Sequence, residues 1–227
     1  MVGVHSPVTS TSSPSHVVDL AFPVIGSLLP ADHGYALYSA LCRVIPSLHE
    51  ASDIGIHPIQ GTLVGDRLLA VNSSSSLTFR IPAVSIGTVL RLSGQLLDVD
   101  GHRCRLGVPR IHALSGTASL FSRLVVIKGF LTSESFLGAA QRQLDALGLP
   151  STAELVSRSV STSVEGKRGA QGPDLAIRRT LRVKDKTIVG FALKVSGLSE
   201  TTSVKLQEQG IGGRRKLGCG VFVPCRP

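Results

Sequence analysis

Residues 210–220 read Gly210-Ile211-Gly212-Gly213-Arg214-Arg215-Lys216-Leu217-Gly218-Cys219-Gly220, five glycines enclosing three consecutive cations. An apolar, strand-like run, Val221-Phe222-Val223, follows, then Pro224. Glycines at this density let a backbone turn sharply and approach a neighbour closely, because no Cβ intervenes. Successive exposed N–H groups form an anion-binding concavity, and Arg214, Arg215 and Lys216 add attraction for phosphate. The plainer reading is a turn between a helix and a last strand, with its charges solvated.

Working outward from the loop, Ser199 to Gln209 has the pattern of a helix and Ile188–Val195 that of a strand. Lys184-Asp185-Lys186 turns that strand back onto Leu175–Val183. Leu155–Val164 pairs across the basic tip Gly166-Lys167-Arg168-Gly169. Thr132 or Ser133 caps a helix that runs to Leu147, where Gly148 and Pro150 stop it. Arg123–Lys128 is the strand before it. The same order precedes a linker at 115–122: strand Val17–Ile25, a helix over 28–46, strands Arg67–Val71 and Leu77–Ile81, a short helix over 82–92, and a hairpin turning at Asp100-Gly101. Residues 50–65 read as loop. Each half is therefore βαββαβ, and the fold class is α+β with two tandem ferredoxin-like domains, 17–114 and 123–227, behind a disordered tail over 1–16.

The charge is unevenly placed. Residues 1–150 hold 10 Lys and Arg against 9 Asp and Glu, whereas residues 151–227 hold 14 against 6. A +8 excess beside the glycine loop points to a polyanion, nucleic acid before membrane. Arg178, Arg179 and Arg182, with Lys167 and Arg168, extend the basic surface. Cys42, Cys104, Cys219 and Cys225 lack metal-ligand spacing, so neither a metal nor another cofactor is expected. No apolar run is long enough to span a bilayer, and the start lacks a secretory pattern, so a cytoplasmic protein is expected. A Walker sequence is also missing, since GGRRKLGC lacks the Gly-Lys-Ser/Thr ending.

The spacing Gly-apolar-Gly, five residues, Gly-apolar-Gly resembles the glycine signature of the RAMP superfamily, in particular its CRISPR-associated endoribonucleases that cut repeat RNA into guide RNAs. The stretch DHGYALYSAL, Asp32 to Leu41, resembles the first helix of that family, where the catalytic histidine often lies. The resemblance covers about residues 17–224. It implies a repeat RNA stem-loop as partner, together with other effector-complex subunits, and metal-independent cleavage. In that reaction the ribose 2′-OH attacks the adjacent phosphate and leaves 2′,3′-cyclic phosphate and 5′-OH ends, with the product retained. It also implies Gly210, Gly212, Gly213, Arg214, Arg215, Lys216, Gly218 and Gly220 as RNA contacts.

A histidine titrating near neutrality suits either proton transfer in such a reaction. Of seven histidines, His5 and His16 lie in the tail, His49 and His57 by the glycine- and proline-rich loop, and His102 and His112 on the hairpin. His33 stands at a helix start with Asp32 as N-cap, where the helix end disfavours the imidazolium. It is the catalytic candidate, with Tyr35 and Tyr38, the only tyrosines in the chain, as helpers. The runner-up is a non-catalytic guide-RNA-binding subunit of the same fold.

Overall fold

Leu20, Phe22 and Val24 alternate with more exposed neighbours along Val17–Gly26 (β1), and that two-residue period sends them to one buried face. β1 is the centre of the first sheet in a computed structural model that describes residues 16–158 and 175–225. Leu28–Pro30 (β2), Gly34–Val44 (α1), a 3-10 turn at Pro46–His49 and Gly55–Ile56 (β3) follow. Thr62–Leu63 (β4) and Leu68–Ala70 (β5) join β2 in a small side sheet. Ser76–Pro82 (β6) returns along β1, and a helical stretch containing Ile86–Val89 (α2) leads to Leu96–Val99 (β7), His102–Leu106 (β8) and Arg110–Ala113 (β9). Asp100 and Gly101, both with positive φ, make the β7–β8 turn.

The main sheet runs β3-β6-β1-β8-β7, antiparallel throughout. β8 flanks one end of β1 and β9 the other, so together they fill the fourth-strand position of the ferredoxin-like order 4-1-3-2. Two expectations are corrected here. The second strand of the unit is β3, within the stretch read as loop, while β5 belongs to the side sheet. The helix starts at Gly34 rather than near residue 28, because Leu28 and Leu29 serve β2.

The second unit repeats the order. Ser119–Val125 (β10) begins inside the expected linker, and Ser133–Ala146 (α3) is capped by Thr132, whose side chain accepts from Ser135 N. Thr152–Leu155 (β11), Ser157–Arg158 (β12), Leu175–Ala176 (β13), Arg178–Val183 (β14) and Lys186–Ser196 (β15) come next. Glu200–Gln209 (α4) carries a capping box between Ser199 and Thr202, and Val223–Pro224 (β16) completes the sheet. Its order is β11-β15-β10-β16, again 4-1-3-2, with β14 the extra strand on β15. Pairing of β12 with β13 fits the expected hairpin, whose tip, with Lys167 and Arg168, lies outside the described residues.

A fully buried arginine is one of the side chains that join the two units. Arg80 of β6 is 1 % exposed and donates from Nε and Nη2 to the two carboxylate oxygens of Asp19 on β1, both at 2.8 Å. Its Nη1 donates to the carbonyls of Gln207 and Phe222, at the end of α4 and just before β16. Burial pushes the Asp19 carboxyl up; the nearby His57 ring and the Arg80 guanidinium outweigh it and hold the group well below the usual carboxylate range. This contribution to stability is therefore present above the ordinary Asp value and lost only as the pH falls through the depressed one. Asp19→Ala strands a buried guanidinium and is expected to cost about 3 kcal/mol. Urea unfolding measures it; a loss below about 1 kcal/mol would remove the pair from the domain contact.

Candidate active site between the first helix and the glycine-rich loop

The glycines of 210–220 serve packing. Gly210 (φ 63°) and Gly220 (φ 64°) meet so closely that a Cβ on Gly210 would stand 2.2 Å from Gly220 O, and one on Gly220 2.2 Å from Ile211 O. The loop thereby folds against itself, and its amides are largely spent inside the protein. Gly212 N donates to Gln143 Oε1, Gly213 N to Val126 O, Cys219 N to Arg214 O and Gly220 N to Leu124 O. This corrects the picture of a backbone cradle with its N–H groups exposed to phosphate. Between Arg214 and Gly218, both left-handed, one 3-10 turn at Arg215–Leu217 faces α1. Gly34 is what lets it approach: a Cβ there would lie 2.8 Å from Leu217 O.

The three cations of the loop go three ways. Arg214 is exposed, and its guanidinium has no acceptor among the described residues. Arg215 turns inward; Nη2 is 3.5 Å from Gln207 O, and burial, reinforced by Arg80, lowers its pKa to about 10. Lys216 reaches the other unit and donates to Leu48 O (3.1 Å) and His49 O (2.8 Å). On β14, Arg178 and Arg182 share the exposed face, and Arg179 is on the other.

Tyr35 and Tyr38, one turn apart on α1, line two adjoining depressions. The larger, about 480 Å³, is walled by residues 212–217, Ser52, Ile54 and Val183. The smaller, about 200 Å³, contains Ser39, Cys42, Arg43 and His49. Tyr38 Oη lies 3.3 Å from His49 Nδ1 and 3.4 Å from Leu48 O, and the two rings meet edge to face. Burial pushes the phenol up to about 12, so it stays protonated. When it donates to Leu48 O, Nδ1–H of His49 donates to Oη and leaves Nε2 a free lone pair. When it donates to Nδ1, Nε2 carries the proton. His49 is exposed and can present either form to the cleft.

His33 is differently placed. It is 2 % exposed and lines neither depression. Nδ1–H donates to Pro30 O (2.7 Å), and Nε2 accepts from Ile59 N (3.0 Å), which fixes the neutral tautomer and commits both nitrogens. The expectation of a proton-transfer role is corrected on this ground. Asp32 is corrected too: it does not cap α1, and its Oδ2 accepts from Arg182 N at 3.0 Å, across the domain contact. The sequence reading passed over His49, although Pro46, ending α1 and starting a single turn, was the signal that the chain folds back along that helix.

A family model described as "Cas6 Crispr" matches residues 18–227. The chain is 40% identical over 207 residues to the "CRISPR-associated endonuclease Cas6" of Myxococcus xanthus (strain DK1622), an alignment covering 91% of this chain and 81% of that protein. Among solved structures it is similar to one described as "CRISPR associated protein Cas6" (TM-score 0.63, 12% identity, 92% of this chain and 100% of that one). It is also similar to the product of a Cas6-related gene from Pyrococcus furiosus (TM-score 0.62, 14% identity, 91% and 98%). A third likeness is to "An RAMP protein binding different RNA substrates" (TM-score 0.60, 15% identity, 90% and 98%).

Burial pushes the His33 pKa below 6.5; the bond to Pro30 opposes this without reversing it, and the Arg123 charge adds to it. A folded value below the unfolded one gives stability that is intact above the unfolded pKa and lost as the pH falls through the folded value. His57, also lowered chiefly by burial, has the same sign. Urea midpoints should therefore fall between about pH 7.5 and about pH 5.5, and less steeply in His33→Asn. An identical slope in the variant would show that His33 takes up its proton equally in the folded and unfolded states.

Proposed function

The chain belongs to the Cas6 family of CRISPR-associated endonucleases, and on that premise we propose that it cuts CRISPR repeat RNA in the cleft between α1 and the glycine-rich loop. The observation that carries the reading is the exposed His49 paired with Tyr38, whose side chain lines the adjoining depression together with Arg214. Cleavage by 2′-OH attack needs a proton acceptor at the 2′ oxygen, a donor at the departing 5′ oxygen and positive charge by the phosphate. His49 in its Nε2 lone-pair form takes the 2′-OH proton. The oxygen attacks phosphorus, the P–O5′ bond breaks, and the departing O5′ takes the proton back from the His49 imidazolium, directly or through one water, so that a 2′,3′-cyclic phosphate and a 5′-OH result and the imidazole is again neutral. Tyr38 holds the imidazole, and Tyr35, on the same wall, borders the path of the strand.

Arg214 stabilises charge on the phosphate, while Arg178 and Arg182 hold the duplex part of the substrate and keep the product bound. These groups supply the reaction from side chains alone, so cleavage is expected to proceed in EDTA. His33 and Arg215 maintain the wall and the domain contact and do not touch RNA.

A repeat stem-loop RNA incubated with the protein in EDTA, beside a copy with one 2′-deoxy substitution at the cut, tests the reaction. Cleavage of the first alone, lost by about 10²–10⁴-fold in His49→Ala with affinity kept, is the expected result. Cleavage of the 2′-deoxy RNA, or full activity in His49→Ala, overturns the mechanism. Tight binding without any cleavage would leave the non-catalytic subunit. Arg214→Ala is expected to weaken binding and lower the log–log salt slope by about 1. An unchanged slope would place Arg214 away from phosphate.

A further inference from the structure

We propose that Lys216 is a positioning residue for His49: its ammonium latches the turn that carries the histidine onto the glycine-rich loop, and it is not an RNA contact. The inference rests on the reading of His49 as the proton-transfer group. The turn Pro46–His49 is a single 3-10 turn, and the carbonyls of Leu48 and His49 at its end have no partner within it. Both are taken by Lys216 Nζ, at 3.1 and 2.8 Å, from a residue more than 160 positions away in sequence. The same ammonium lies 5.6 Å from the centroid of the Tyr38 ring. An ammonium has three donors. Two are on carbonyls and the aromatic face fills another side, which leaves little of it for a phosphate.

The two ends of the latch differ in rigidity. On the loop side Lys216 stands between two left-handed residues, and hydrogen bonds to Gln143, Val126 and Leu124 fix the flanking backbone to α3 and to the β10 region. On the other side Pro46, Ser47, His49 and Glu50 are exposed, and Leu48 is the one buried anchor of the turn. Without Lys216 the imidazole is held by a single 3.3 Å contact with Tyr38 Oη, whose other contact, at 3.4 Å, is to Leu48 O. The ring then samples positions away from the 2′ oxygen, and a misplacement of about 1 Å in a reacting group is worth about 10²-fold in rate. Arg214, two residues earlier and pointing to solvent, is the phosphate contact of the same loop.

The decisive measurement is a double-mutant cycle on the single-turnover rate at saturating repeat RNA, with the equilibrium Kd measured in parallel. Lys216→Ala should slow cleavage about 10–100-fold with Kd within about threefold, and Lys216→Gln, which retains donors for the carbonyls, should keep more of the rate. In the His49→Ala background, followed over hours, Lys216→Ala should change the residual rate less than about twofold. Independent, additive losses would mean that Lys216 acts on the reacting phosphate and would overturn the latch. So would a Kd raised about tenfold with the saturating rate unchanged. Should Lys216→Ala fail to fold, amide hydrogen exchange across residues 48–51 in Lys216→Met, which keeps the apolar stem and loses the donors, decides: acceleration supports the latch, and wild-type protection refutes it. If His49→Ala itself cleaves normally, the reading of His49 falls first and takes the latch with it.

Discussion

A guanidinium with almost no contact with water is the constraint on which the other contacts depend. Arg80 could not remain charged at 1 % exposure without a carboxylate in fork geometry and further acceptors for Nη1. The carboxylate comes from the neighbouring strand of its own sheet. The other acceptors come from the second unit, on either side of the glycine-rich loop. Gln207 ends one flank of that loop and Phe222 the other, so a single side chain pins both feet of the segment that faces α1. The alignment of the loop with the first helix is thus set from beneath, by a charge that has no alternative arrangement.

Above that anchor the contacts are made by absence of bulk. Gly34 leaves room for Leu217 O, and the Gly210–Gly220 approach leaves room for the loop to double back. The cations are then sorted by what lies within reach. Arg215 follows the space beside Gly55 toward the buried contact, and Lys216 spans to the first unit. Arg214, held at a left-handed φ of 67°, remains outside. Three adjacent residues of one charge type come to have three different surroundings.

Much of the architecture was legible because it is local. α3 and α4 carry their caps and stops beside their apolar spacing, and β15 is a long β-branched run. β3 was not legible. A two-residue strand has no period, and what makes it a strand is β6 beside it. The site divides the same way. Tyr35 and Tyr38 were singled out as the chain's only tyrosines, close to His33 in sequence, and both line the depressions on α1. His33 misled because a histidine at a helix start looks available until its partners are known, one three residues away and the other twenty-six. His49 and the divergence of Arg214, Arg215 and Lys216 depend on contacts between the two ends of the chain, on which local pattern is silent.

That last dependence has a consequence for the order in which the protein comes into being. The wall bearing Tyr35, Tyr38 and His49 is made from residues synthesised more than 160 positions before its opposite wall, residues 212–217. A nascent first unit can pair β1 with β6 and bury Leu20, Phe22 and Phe79, but it has only half a cleft. Until residues 212–217 have been made, the chain therefore lacks the cleft in which the proposed cleavage takes place.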